Sequence, residues 1–424
     1  MEKIVKKKIG IYLILAAVLL IYFVVRVQSF EFAFYRGLAA PADLAQDYIG
    51  ARQLLAGKSV YPADFTEIYK DLFRESPRLS DINLVVNAHP PFVSMLLFPL
   101  GFLSFENAAV IYTLITIACM FFTIFLLLKS EDISLIYFPF IALFTLAWQP
   151  FQSNLMWGQI SVLVTLFVTI GWFFSKKRHE TMSGVFIALA TMLKFYPGLL
   201  IVYFLINKRW KAFLVSITTA GAILLLALIV TRYDLFHFIS NIMPQDIKNS
   251  QANLANLSIN GFFSKLFLPT IGNYFTLFVS PFLNDLLFYA AVVLLLLYSA
   301  LHIKEYNNDL GFSLFIILSL LLSPLCWDHS LTLLLLSFAI LIKELVKRNN
   351  RSEIIIFLVS LFLISIDVYS IYFQQAVYMT NRHVLGNSMG FIDTLTFYSL
   401  QFYGMLLLLF LNFRMIKKEA PQLY

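Results

Sequence analysis

The sequence predicts an all-α polytopic membrane protein, with about ten spanning helices plus re-entrant or interfacial segments. Three observations lead there. The 424 residues are 60% hydrophobic and only 13% charged, far from the balance of a soluble chain. Apolar runs recur from Ile9 to Phe413 and leave no long polar stretch outside 26–89. Basic residues, which give the net charge of +7, sit in short clusters between those runs, as topology signals do. Such clusters suit anionic lipid, and no nucleic-acid partner is expected.

Each crossing is placed by apolar length, since a spanning helix needs about 20 residues. The crossings fall near 9–25, 107–128, 133–149, 159–174, 212–230, 284–302, 310–325, 329–343, 353–373 and 394–413. The opening MEKIVKKK precedes an apolar run with no small-residue cleavage site before Arg26, so it reads as an uncleaved first helix. The stretch 182–206 has basic flanks, SKKRH and NKRWK, and LKFYPG in its middle, where Pro197 and Gly198 disfavour a continuous helix. It is expected to enter and return. The shorter pieces 90–104 and 260–282 carry prolines and are expected to be re-entrant or interfacial.

The whole chain, 1–424, is then one membrane domain in a plasma membrane. With both termini cytoplasmic, 19 of the 31 Lys and Arg lie in cytoplasmic segments and 11 in much longer exterior loops. The exterior polar segments are 26–89, 150–158, 231–259, the turn at 323–329 and 374–393. The hairpin tip points the same way, because 13 residues at 1.5 Å each reach roughly 20 Å into a core roughly 30 Å thick. A shared extracytoplasmic site follows.

Several residues there carry chemistry, each with a plainer alternative. Asp43 and Asp47 share a helix face in the first exterior loop, as a general base and its neighbour or as solvated cap residues. Gln159 follows the QPFQSN turn and either caps a helix or binds a polar group. Lys194 is a charge inside an apolar stretch, a cation for an anionic ligand or a lysine snorkelling to headgroups. Trp327, Asp328 and His329 form either a binding turn or an interfacial anchor. Asn256 stands in an amide-rich loop of the kind that suits sugar hydroxyls and ordinary turns alike. Arg382 and His383 read as solvated. The two cysteines, Cys119 and Cys326, show no metal or redox spacing.

Taken in order, DLAQDYIGARQLLAGKSVYP, HPPFVSMLLFPLGFLS, WGQISVLVTLFVTIGWF, SGVFIALATMLKFYPGLLIVYFLINKRW, NLSINGFF and LLSPLCWDHSLTLLL resemble glycosyltransferase family 87 over roughly 40–340. The resemblance implies a GT-C type fold. It also implies transfer of a hexose, typically mannose, from a polyprenyl-phosphate donor to a lipid or glycan acceptor outside the cytoplasm. It puts the catalytic carboxylate of the first exterior loop at Asp43. Asp47, Gln159, Lys194, Asn256, Trp327 and His329 are then the substrate-binding candidates. A phosphate leaving group needs little acid help, so one base and one cation suffice for an inverting displacement. The first loop lacks a D-x-D pair, so no divalent metal or other cofactor is expected. The apolar 90–104 region is the candidate surface for the isoprenoid. Transport or flipping of a lipid-linked or anionic substrate is the competing class, with no clear inverted repeat in its favour.

Overall fold

The computed structural model describes residues 2–39, 41–72, 87–269, 277–302, 308–367 and 395–419, with side chains from residue 21 onward except 308, 397, 418 and 419. Among them every regular element is helical. Helix α1 (Glu2–Ala39) is followed by α2 (Ala42–Leu55), α3 (Phe65–Leu72), α4 (Pro91–Leu96) and a 3₁₀ turn, Phe98–Phe102. Then come α5 (Phe105–Ser130), α6 (Phe138–Ala147), α7 (Gln149–Trp157), α8 (Ser161–Lys176), α9 (Glu180–Leu193), α10 (Leu199–Ile206) and α11 (Trp210–Thr231). The rest are α12 (Asp234–His237), α13 (Met243–Ser250), α14 (Ile259–Phe267), α15 (Pro281–His302), α16 (Asn308–Leu321), α17 (Leu334–Arg348), α18 (Arg351–Ile364) and α19 (Leu400–Glu419).

Among the described residues five helices are long and apolar enough to cross a membrane: Phe105–Ser130, Trp210–Thr231, Pro281–His302, Asp328–Arg348 and Leu400–Lys417. Each coincides with an expected crossing. The crossing expected at 133–149 instead breaks at Trp148, where α6 and α7 bend by 62°. Trp148 is extended, and Pro150 sits in the first turn of α7, where its missing N–H costs nothing. The expected crossings at 159–174 and 310–325 are α8 and α16, shorter apolar helices. α16 is buried along nearly its whole length, Leu310 to Leu321, so its hydropathy comes from the core of the bundle. The crossing at 353–373 is helical to Ile364, and its end lies outside the described residues.

Three loops are corrected. The first polar segment starts near residue 40 rather than 26, because no breaker interrupts α1 before Pro41. QPFQSN is a buried helix, α7, rather than a turn, and Gly158 ends it at φ 68°, a left-handed geometry that glycine adopts freely. The 231–259 segment is mostly helical through α12, a π-helical turn at Phe238–Ile242 and α13. The expected 374–393 loop, with Arg382 and His383, lies outside the described residues.

The broken stretch returns on itself, as expected. Beyond α10, Arg209 donates to Glu180 at the start of α9 (2.8 Å) and to the hydroxyl and carbonyl of Ser175. Between the two arms Lys194 is extended (φ −145°, ψ 134°), and Pro197 and Gly198 form a single 3₁₀ turn. At this far end of the bundle the buried Glu131 accepts from both Lys176 (2.6 Å) and Lys343, and Trp172 donates to Asp309 (3.0 Å). Helix α8 runs from Ser161 to Lys176, about 24 Å. It therefore links this charged layer to a second polar layer at its other end.

Candidate functional site

The second layer gathers around Asp43, in the first turn of α2. Gly158 makes the approach possible. A Cβ there would lie 2.6 Å from Pro41 Cβ and 2.8 Å from Leu44 Cβ, so only a glycine lets α2 begin against the α7–α8 junction. Gln159, the next residue, donates from Nε2 to Asp43 Oδ2 at 2.5 Å. Its Oε1 accepts from Lys194 Nζ at 2.7 Å, and Lys194 also reaches Ser161 Oγ (3.1 Å) and His329 Nε2 (3.2 Å). Four distant parts of the chain thus form one chain of contacts: Asp43, Gln159, Lys194, His329.

Gln159 therefore bridges rather than caps. The Val162 N–H at the head of α8 is taken by Asn154 Oδ1 instead, at 3.2 Å. Lys194 points inward to three partners and does not snorkel. Asp43 does not cap α2 either, since Pro41 holds the N-cap without a side-chain bond. Burial pushes the Asp43 carboxyl above the usual carboxylate range, against the opposing pull of the Gln159 amide and of nearby His89 and Lys194. Asp246 on α13 is raised for the same reason, and it too interacts with His89 and Lys194.

Asp47 lies one turn along α2 and is differently engaged. Both of its oxygens meet His89 Nδ1, at 3.0 and 2.9 Å, and it is 1% exposed. The segment 87–89 is tied to α2: Asn87 Nδ2 donates to Gln46 O (3.2 Å), and Gln46 Oε1 accepts the Ala88 N–H (2.9 Å). Tyr61 OH donates to His89 O at 2.7 Å. His89 was not among the residues singled out in HPPF, although a histidine before two prolines in an apolar piece was the available signal. Tyr61 also stacks on Phe238, which touches Phe195 beside Lys194. Asp234 fixes this flap by accepting from Ser59 Oγ (2.5 Å) and the Val60 N–H (2.8 Å).

The WDH turn is held from two sides. Asp328 accepts from Ser153 Oγ (2.8 Å), from the His329 N–H (2.7 Å) and from Gln149 Nε2 (3.4 Å). Behind it Arg26 donates to Gln149 (2.8 Å), Gln152 (2.7 Å) and Asp367 (3.3 Å). Trp327 is half-buried, and its carbonyl accepts the Ser330 N–H. Asn256 does not join the cluster. Fully buried, it donates to the Gln251 and Pro324 carbonyls (both 3.0 Å) and accepts from Cys326 N–H, Ser258 N–H and Ser258 Oγ. Its amide is spent on clasping the SPLC turn, so it orients that turn and not a sugar. Asn256→Ala leaves two buried N–H groups unmet, each costing about 1–3 kcal/mol. The expected outcome is a clearly lowered Tm for the purified protein, measured by thermal unfolding in detergent.

Gly158→Ala is expected to push α2 away from Gln159. A left-handed alanine costs about 1–2 kcal/mol, and the Pro41 and Leu44 clashes add about 1–3 kcal/mol of overpacking. A cysteine pair at 43 and 159 checks this: cross-linking is expected to be efficient with Gly158 and poor with alanine.

The arrangement supplies a half-buried carboxylate, an amide, an ammonium and an imidazole on adjoining elements. It can accept a proton at one end and stabilise a leaving anion at the other. No curated protein matches the chain. A family model described as Glycosyltransferase family 87 matches residues 87–324, more than half of the chain. His89, Gln159, Lys194 and Asn256 lie inside the match, whereas Asp43, Asp47, Trp327 and His329 lie outside it. With that span matched, and with helices long and apolar enough to cross a membrane, the chain belongs to glycosyltransferase family 87 and is a membrane glycosyltransferase.

Proposed function

We propose that this enzyme has a GT-C type fold and transfers a hexose, mannose first among candidates, from a polyprenyl-phosphate donor to a lipid or glycan acceptor on the extracytoplasmic side. The observation that carries the reading is the contact chain Asp43–Gln159–Lys194–His329 in a family 87 chain. Asp43 is the base. Asp47 is less suited, because His89 engages both its oxygens and it is almost wholly buried.

In the reaction the acceptor hydroxyl gives its proton to Asp43 as its oxygen bonds to C1 of the hexose. The C1–O bond to phosphate breaks, and the polyprenyl phosphate leaves with the electron pair. Lys194 stabilises the charge gathering on that phosphate, and Gln159 fixes the distance between base and cation. His329 orients the phosphate side, and attack opposite the departing phosphate inverts the anomeric centre. A phosphate leaves without a proton, so no second acid is needed. The recessed layer suits a lipid-linked donor: α8, at about 24 Å, is shorter than a hydrocarbon core of roughly 30 Å.

The test is transfer of labelled mannose from polyprenyl-phosphate mannose to a membrane-lipid extract by purified protein in nanodiscs. Product with wild type supports the reading. Absence of product across several hexose donors and acceptors turns the reading to transport, which a liposome flipping assay with the same donor would then detect.

A further inference from the structure

A second site lies on the other side of α2, away from the contact chain. At 100° per residue, Asp43 and Asp47 share one face of this helix, Tyr48, Ile49 and Arg52 lie roughly opposite, and Gln53 stands at the side. That opposite face closes an open cavity of about 680 Å³ with α3 and the 98–102 turn. Its wall is apolar at Ile49, Ile68, Leu72, Phe102 and Leu103, and its rim holds Arg52 and Lys58, both exposed.

Its depth is set by α5. Ser104 lines the cavity and caps that helix, accepting the Asn107 N–H at 3.4 Å, and α5 is of spanning length. The cavity therefore lies where a crossing helix leaves the apolar region, the level of lipid headgroups. Phe102 is 68% exposed there, an aromatic at the boundary. Two cations attract a phosphate. On the same lining the Asp71 carboxylate repels a bare phosphate but accepts from hydroxyl groups, which Gln53 and Ser104 can meet as donors or acceptors.

We propose that this cavity binds the headgroup of an anionic, hydroxyl-bearing membrane phospholipid, its phosphate at Arg52 and Lys58 and its first chain carbons against Phe102 and Leu103. The lipid then braces the helix whose other face carries Asp43. The binding claim does not depend on the sugar-transfer reading.

The test is binding of spin-labelled phosphatidylglycerol to the full-length protein in phosphatidylcholine nanodiscs, read as the motionally restricted fraction. Lys58→Gln changes an exposed side chain, whereas Arg52 also donates to the Gly101 carbonyl (3.3 Å), so thermal unfolding of Arg52→Gln in detergent is measured beside binding and an unchanged Tm is expected. Each is expected to weaken binding about fivefold, the effect of about 1 kcal/mol per charge near an anionic surface. Lys211→Gln, the same loss of one charge elsewhere on an exposed side chain, is expected to leave it unchanged. Equal binding by the cavity variants and wild type overturns the proposal. So does equal restriction of labelled phosphatidylcholine, which marks an apolar groove only, or competition by inorganic phosphate as strong as by phosphatidylglycerol, which marks a free-anion site.

Discussion

Asp43→Asn is expected to lower kcat of sugar transfer by about 10²–10⁴, the range that a positioned base supplies, while donor binding persists. Asparagine keeps the size of the side chain and can still meet Gln159, so α2 stays seated. The pH profile supplies the second readout. Burial raises the Asp43 carboxyl, and a base must be deprotonated to work. Activity of the wild type is therefore lost as pH falls through that raised value, above the ordinary carboxylate range near about 4. The residual activity of the asparagine variant has no such acid limb. A limb that survives the substitution would assign the proton to another group, with Asp246 next in line.

Lys194→Met is expected to cost about 10²–10³ in kcat, comparable to removing one preorganised group that stabilises charge in a transition state. The methionine fills the same space but leaves Gln159 Oε1 and Ser161 Oγ without their donor. The leaving group separates this loss from that of Asp43→Asn. With a hexosyl donor whose leaving group is a weaker base than phosphate and spreads its charge over a ring, such as a dinitrophenyl hexoside, the Lys194→Met penalty is expected to shrink, whereas the Asp43→Asn penalty remains. Equal penalties on both donors would mean that Lys194 only holds the fold of the site.

Hydropathy located the long helices because their apolar length is local information, and it located the hairpin because Pro197, Gly198 and the basic flanks are local too. It could not separate apolar character that comes from packing from apolar character that comes from lipid. α16 is apolar because other helices surround it, and a short buried helix and a short crossing look alike in sequence. QPFQSN looked like a turn because its polar residues suggested water. Those residues instead face Arg26 and Asp328 across the bundle. The site was legible in part for a related reason. Asp43, Gln159, Lys194 and His329 stood out as polar residues in apolar or ordered surroundings. Nothing local showed that Gln159 reaches both charges, that Asp47 is occupied by His89, or that Asn256 is committed to the SPLC turn.

The returning hairpin also bears on how the chain is threaded into its membrane during synthesis. Its two arms end at the same place, tied by Arg209, so in the proposed topology it adds no crossing. Were Pro197 and Gly198 replaced so that 180–206 became one straight helix, an odd crossing would be added midway. Every later segment would then be delivered to the opposite compartment. The WDH turn would emerge on one side and the α2 carboxylate on the other. In the proposed topology the break at Lys194 thus sets the parity of the carboxy-terminal half, and the contact of His329 with Lys194 is what that parity would protect.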